Sequence, residues 1–268
     1  MFSALAPRYD FGNHLLSANL DRLWRRRAAR LGVGPDTRRV LDCCCGTGDQ
    51  ALACAREMAQ GGMVGGCDFA LPMLPIARRK IARARPSSAV AVLASDTLAL
   101  PFADDSFDLV TISFGLRNLA DREAGLREMA RVVRPGGQVV VLEFTLPPNR
   151  LFRAVYRFYF ERLLPWIARI GAGSKDYGYL PASVAEFPGP GRLKAMMESC
   201  GFHGVRYRLL TGGIAAIHIG RKPIASSRQD SFSLMREAKD AEKQGWTRSS
   251  GGMIHSLQEA WFAREQIG

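Results

Sequence analysis

Short runs rich in Val, Ile and Leu recur along this chain, and stretches of helical period separate most of them. Few folds accept that alternation: strands joined by crossover helices form a mostly parallel sheet covered on both faces. The runs predict strands at about residues 38–43, 63–68, 89–93, 107–114, 138–144, 205–210 and 214–220. Helices are predicted at 49–58, from Pro72 in a first-turn position, at 121–133 and at 192–199. Arg134-Pro135-Gly136-Gly137 reads as a turn that no helix crosses. The last two runs are adjacent, which predicts an antiparallel hairpin closing the sheet. The expected fold class is α/β: a Rossmann-like, seven-stranded, mostly parallel sheet with helices on both faces and that final hairpin.

The first predicted strand runs into Cys45-Gly46-Thr47-Gly48-Asp49. Glycines between a strand and a helix let the backbone approach a ligand at the carboxyl edge of the sheet. Gly46, Gly48 and Ala51 also meet the dinucleotide spacing, with Asp68 about where a ribose-binding acid stands, so a nicotinamide cofactor is one reading. Charge favours another. Asp42 ends the first strand, Asp49 opens the first helix, Asp68 ends the second strand and Asp96 follows the third. A pyrophosphate docking at the helix N-terminus would be repelled by Asp42 and Asp49. S-adenosyl-L-methionine carries a sulfonium and an ammonium and no phosphate. It suits these acids: Asp68 for the ribose hydroxyls, Asp96 for the adenine amino group, and the backbone of Gly46 and Gly48 for the methionine end. The plain alternative for each aspartate is strand-end and cap chemistry.

The net charge is +12, from 37 Lys+Arg against 25 Asp+Glu, and 47% of residues are hydrophobic. The hydrophobic share excludes collagen-like, mucin-like and wholly disordered chains. The charge asks for an anionic partner: nucleic acid, an acidic membrane surface or a phosphorylated substrate. Residues 1–30 carry about +4, residues 71–95 about +5 and residues 150–194 about +5, while 224–268 is neutral by count. No RNA-binding module or aromatic-basic stacking motif stands outside 150–169, so nucleic acid is not the expected partner. The six cysteines show no metal-ligand or disulfide spacing and are expected to be reduced, with no metal site. Neither a secretory signal nor a membrane span is expected from the apolar patterning.

The segments MFSALAPRYDFGNHLLS, LDCCCGTGD, ALPFADDSFDLVTISFGLRNL, EMARVVRPGGQVVVLEF, YGYLPASVAEFP and LKAMMESCGF together resemble the ubiquinone/menaquinone biosynthesis C-methyltransferase family. The likeness runs from Met1 to about Lys222. It implies a class I S-adenosylmethionine-dependent methyltransferase acting on a ring carbon of a polyprenylated quinol, with demethylmenaquinol first and the ubiquinone-pathway benzoquinol as the other candidate. Methylation of another small molecule or of RNA stays as the alternative. By position, the family's cofactor contacts fall on Thr47, Asp68, Asp96, Thr97 and Ser113, and its Arg-Asn pair falls on Arg117 and Asn118. Asp96 replaces a common Asn, and Cys44 a common Ala or Gly. Gly12 and Asp21 replace a usual Met and His in the stretch expected over the substrate.

Methylating an aromatic carbon needs a phenolate beside it, donor and acceptor held in line, and a group that takes a proton. The resemblance assigns Arg117 to the phenolate and Asn118 to the same oxygen; the plain alternative is that the pair ties down a loop. Tyr9, Asp10, His14 and Tyr177 are further candidates for proton transfer or substrate contact. Segment 150–169, with Arg150, Arg153 and Arg157 among aromatics, reads as a lid admitting a prenyl tail and resting on anionic lipid. The expected organisation is a methyltransferase domain at 1–223, with a substrate-side arm at 1–30 and a lid insert at 147–190, then a polar extension at 224–268. The expected location is cytoplasmic and peripheral at the inner membrane face; a homodimer is left open.

Overall fold

The structure, a computed structural model, describes residues 17, 19–158, 183–184 and 186–224. The chain divides into two units, Met1–Pro223 and Ile224–Gly268, and every described residue except Ile224 belongs to the first. Tyr9, Asp10, Gly12, His14, Tyr177, the rest of the lid segment and the extension beyond Ile224 lie outside the described residues.

Helix α1 (Leu20–Gly32) leads to β1 (Arg39–Cys43), α2 (Asp49–Glu57), β2 (Met63–Asp68), α3 (Leu74–Ala84), β3 (Ala89–Ala94) and β4 (Phe107–Ser113). Then come α4 (Arg122–Val132), β5 (Val133–Phe144), α5 (Arg150–Phe158), α6 (Pro190–Ser199), β6 (His203–Leu210) and β7 (Ala215–Arg221). The seven strands lie in the order β3-β2-β1-β4-β5-β7-β6. The first five are parallel, and β7 inserts antiparallel between β5 and β6. The expected hairpin is therefore present with its second strand inside the sheet and its first at the edge.

Alternate residues of the central strands face opposite layers. Val40, Val140 and Leu142 pack with Trp24, Ala28 and Ala29 of α1 and with α2. Leu41, Val139 and Val141 pack on the other face with Leu126 and Met129 of α4 and Leu193 and Met197 of α6. Each fully buried Val, Leu or Met side chain among them contributes roughly 1.5–3 kcal/mol against exposure. Asp121 caps α4 by accepting the Ala124 amide at 2.9 Å, which starts that helix where its sequence signal stood.

The Arg-Pro-Gly-Gly stretch ends α4 as predicted. Its turn sits inside β5 (Val133–Phe144): Gly136 has φ 76°, and residues 134–137 loop out of the pairing with β4, which passes from Phe107–Val133 to Leu109–Gln138. Gly136 donates its amide to the Lys222 carbonyl at 2.9 Å, and the Lys222 amide donates to the Gly137 carbonyl at 3.0 Å, so the residue after β7 ties the turn down. A side chain at Gly137 would lie 2.8 Å from the Asp108 carbonyl, so only glycine passes there. Helix α1 has no counterpart among the predicted elements, although it presents Trp24 to the core at 2% exposure. No helix among the described residues is long and apolar enough to cross a membrane.

Candidate active site

The carboxyl ends of β1, β2, β3 and β4 each contribute one wall of a single cavity of about 370 Å³. Cys44, Gly46 and Gly48 follow β1 with φ of 52°, 54° and 86°, so the loop turns sharply before Gly48 caps α2. Gly46 donates its amide to Asp68 Oδ2 at 2.7 Å, and Ala70 donates to Asp68 Oδ1 at 2.7 Å. One carboxylate thus fixes both the glycine loop and the turn after β2. Burial raises the Asp68 pKa above the ordinary range, and the two amides counter this only in part.

On the third wall, Asp96 Oδ1 accepts the Leu98 amide at 2.9 Å, an Asx turn. It brings Thr97 Oγ1 to 3.4 Å from Cys44 Sγ. Burial pushes the Cys44 thiol up to about 12, so it stays protonated at neutral pH. The fourth wall is the turn after β4. Phe114 sits there at φ 59°, a conformation that bulky side chains rarely adopt. Its carbonyl accepts Arg117 Nη1 at 2.7 Å and Asn118 Nδ2 at 3.4 Å.

Among the expected residues, the structure brings Gly46, Asp68, Asp96, Thr97 and Asn118 to the cavity wall. Five others are not on it. Asp42 is 1% exposed behind the loop, with Oδ1 accepting from Thr111 at 2.8 Å; burial raises its pKa to about 7, against the pull of Thr111 and Arg25. Thr47 is buried and accepts Lys80 Nζ at 2.8 Å, Gly48 serves as the N-cap of α2, and Ser113 is buried at the end of β4. Arg117, expected to face the methyl group, is 7% exposed. Its guanidinium pairs with Glu143 of β5.

Of the four carboxylates at this edge, two line the cavity. Asp49 pairs with Lys80 at 2.7 Å, and Asp42 is enclosed, so Asp68 and Asp96 alone supply charge to the described wall. No Lys or Arg among the described residues lines it. A dinucleotide pyrophosphate would find no cation there, whereas a sulfonium and an ammonium find two carboxylates. The donor set therefore fits S-adenosylmethionine, and the volume suits a small-molecule site.

Sequence reasoning missed the apolar part of the wall: Cys44, Phe69, Met73, Leu98, Phe114 and Leu119. Phe69 carried a usable signal, an aromatic directly after a strand-end acid; it is 78% exposed. Glu143 carried another, a lone charge inside QVVVLEF. The described residues contain no group of three or more His, Cys, Asp or Glu able to hold a metal ion.

Solved structures share this fold. A SAM-dependent methyltransferase from Thermotoga maritima superposes with a TM-score of 0.57 at 19% identity, over 82% of this chain and 97% of that one. An O-methyltransferase family protein from Burkholderia thailandensis gives 0.60 at 18% identity, over 82% and 60%. The fold is the one these methyltransferases have. The chain belongs to the ubiE/COQ5 methyltransferase family, whose sequence profile matches residues 1–222. It is 54% identical over 224 residues to the demethylmenaquinone methyltransferase of Thermus thermophilus, covering 83% of this chain and 100% of that protein. It is 46% identical to the ubiquinone/menaquinone biosynthesis C-methyltransferase of Geobacter sulfurreducens, over 83% and 87%. It is also 47% identical to the demethylmenaquinone methyltransferase of Deinococcus radiodurans, over 83% and 91%.

Proposed function

We propose that this chain methylates a ring carbon of a polyprenylated quinol, converting demethylmenaquinol to menaquinol. The observation that carries the reading is a cavity whose charged groups are Asp68 and Asp96, in a chain 54% identical to a demethylmenaquinone methyltransferase. Bound there, S-adenosylmethionine supplies an electrophilic methyl group. A carboxylate offers about four lone-pair sites. Asp68 keeps capacity for ribose hydroxyls beside its two amides, and Asp96 for the adenine amino group beside Leu98. The Gly46 loop would receive the methionine end. Asn118 would hold the quinol oxygen, while Phe114, Leu119 and Met73 keep water from the reacting atoms. Asp42, Thr47, Gly48 and Ser113 would support the loop and strand ends from behind. In this reading residues 1–223 are the catalytic unit and 224–268 an appended extension.

Incubation with S-adenosylmethionine and demethylmenaquinol should yield a product heavier by one methylene in the mass spectrum. Label passing only to a demethylated benzoquinol, or only to RNA, would overturn the substrate.

A lipid quinol also supports peripheral contact with an anionic membrane. Arg78, Arg79, Arg83 and Arg85 are exposed on and just beyond α3, and Arg150 and Leu151 are exposed at the start of α5. Arg153, grouped with them in the sequence, does not join that surface: it donates to the carbonyls of Pro147 and Pro148 at 2.6 and 3.1 Å. Flotation with anionic vesicles but not neutral ones is expected; equal binding to both would remove the electrostatic part.

A further inference from the structure

Turn 114–118 carries Asn118 to the cavity wall, and a side chain outside that wall fixes the turn. Glu143, 1% exposed near the end of β5, accepts Arg117 Nη1 at 2.5 Å and the Phe144 amide at 3.0 Å through Oε1. Its Oε2 accepts the Arg117 amide at 3.2 Å. One carboxylate therefore grips both the backbone and the side chain of Arg117. Arg117 passes the constraint on to the Phe114 carbonyl, where the chain is held at φ 59°. Such a conformation persists only where the surroundings over-determine it. Here the Phe114 amide donates to Leu142 at 2.8 Å, and its carbonyl is held by both Arg117 and Asn118.

The pair is poorly suited to a role in stability alone. Apolar residues of similar volume usually stabilise as well as a buried ion pair, because desolvation offsets the attraction. Moreover, Arg117 Nε is buried without a hydrogen-bond partner, a cost that a pair selected only for stability would avoid. What the charges supply is a defined geometry at one strained turn.

We propose that Glu143 is a positioning residue for methyl transfer, acting through Arg117 to hold turn 114–118 so that Asn118 stays at the cavity wall. The reaction it serves rests on the quinol-methylation reading; the geometric part does not.

Single variants such as Glu143→Leu leave a buried charge unpaired and can fail to fold, so the deciding protein is the full chain carrying Arg117→Met with Glu143→Leu. That double variant should melt near the wild-type temperature and bind S-adenosylmethionine with unchanged affinity by calorimetry. Its kcat with demethylmenaquinol should fall about a hundredfold, as expected when a reacting group is displaced by about 1 Å. Amide exchange should accelerate over 113–119 while β1 and β4 stay protected. Wild-type turnover in the double variant, or turnover lost only in step with cofactor affinity or melting temperature, would overturn the proposal. If the wild type itself does not methylate demethylmenaquinol, the substrate reading fails, and amide exchange still decides: unchanged protection over 113–119 rejects the positioning role, and selective loss supports it.

Discussion

A Cβ on Gly115 would overlap the Cβ of Cys44 and lie 3.1 Å from its Sγ. The loop after β1 and the turn after β4 therefore meet at the cavity with room for one side chain, and Cys44 occupies it. Gly115→Ala should destabilise the protein by about 1–3 kcal/mol and weaken S-adenosylmethionine binding, since the clash is relieved only by displacing a wall. Adding Cys44→Gly should restore much of both. Thermal melts and calorimetry on the two proteins check this; a Gly115→Ala protein that binds normally would show the contact to be slack.

The Cys44 thiol faces the cavity yet should be slow to react. With its pKa pushed up to about 12 by burial, almost none is thiolate near neutrality. Alkylation by iodoacetamide, followed by peptide mass spectrometry, should run about a hundredfold slower than for a free cysteine near neutral pH. Rapid labelling of Cys44 there would contradict the burial.

The two cavity carboxylates should respond differently to amide substitution. Asp96 accepts a single backbone amide through Oδ1, which an asparagine oxygen can replace, so Asp96→Asn should lose less cofactor affinity than Asp68→Asn. Asp68 uses both oxygens, so Asp68→Asn turns an N–H against a backbone N–H of Gly46 or Ala70. That mismatch costs about 1–3 kcal/mol and frees the glycine loop, so affinity should fall about tenfold or more. Titration calorimetry on the pair checks the contrast.

Asp42 gives stability a pH dependence whose sign follows from its enclosure. Its pKa is about 7 in the folded protein against 3.8 ordinarily, because burial disfavours the charged form. The folded state thus holds the proton more tightly than the unfolded one. The stabilisation this provides is full below about pH 4 and is lost as pH rises through about 7. Relative to Asp42→Asn, the wild type should lose on the order of 4 kcal/mol across that window, an upper figure for a site that can relax. Urea melts of both proteins at several pH values measure it; parallel curves would place the charge in a wetter setting.

Legibility from sequence followed the range of the interactions. Met63–Asp68 is the strand predicted, because apolar runs and flanking glycines are local signals. Asp68 and Asp96 were legible for the same reason, since each stands where a strand hands over to a loop, while Asn118 came with the family resemblance. The fate of Arg117 was not, because its partner Glu143 lies 26 residues away and only strand order brings them together. Nor was the difference between Asp42 and Asp68, one enclosed and one lining the cavity, although both end strands. The Arg-Pro-Gly-Gly turn was legible as a local signal, whereas its place inside β5 was not, because distant Lys222 ties it down.

Trp24 packs 6.3 Å from the ring of Phe114, which belongs to the cavity wall, and its indole N–H donates to Thr211 Oγ1 at 2.9 Å. At 2% exposure it should emit toward the blue, and anything that shifts the Phe114 ring alters its surroundings. The protein holds four tryptophans, so exchanging Trp166, Trp246 and Trp261 for phenylalanine would leave one fluorophore against the methyl-transfer site. Occupancy of the site could then be followed by light, with no label added.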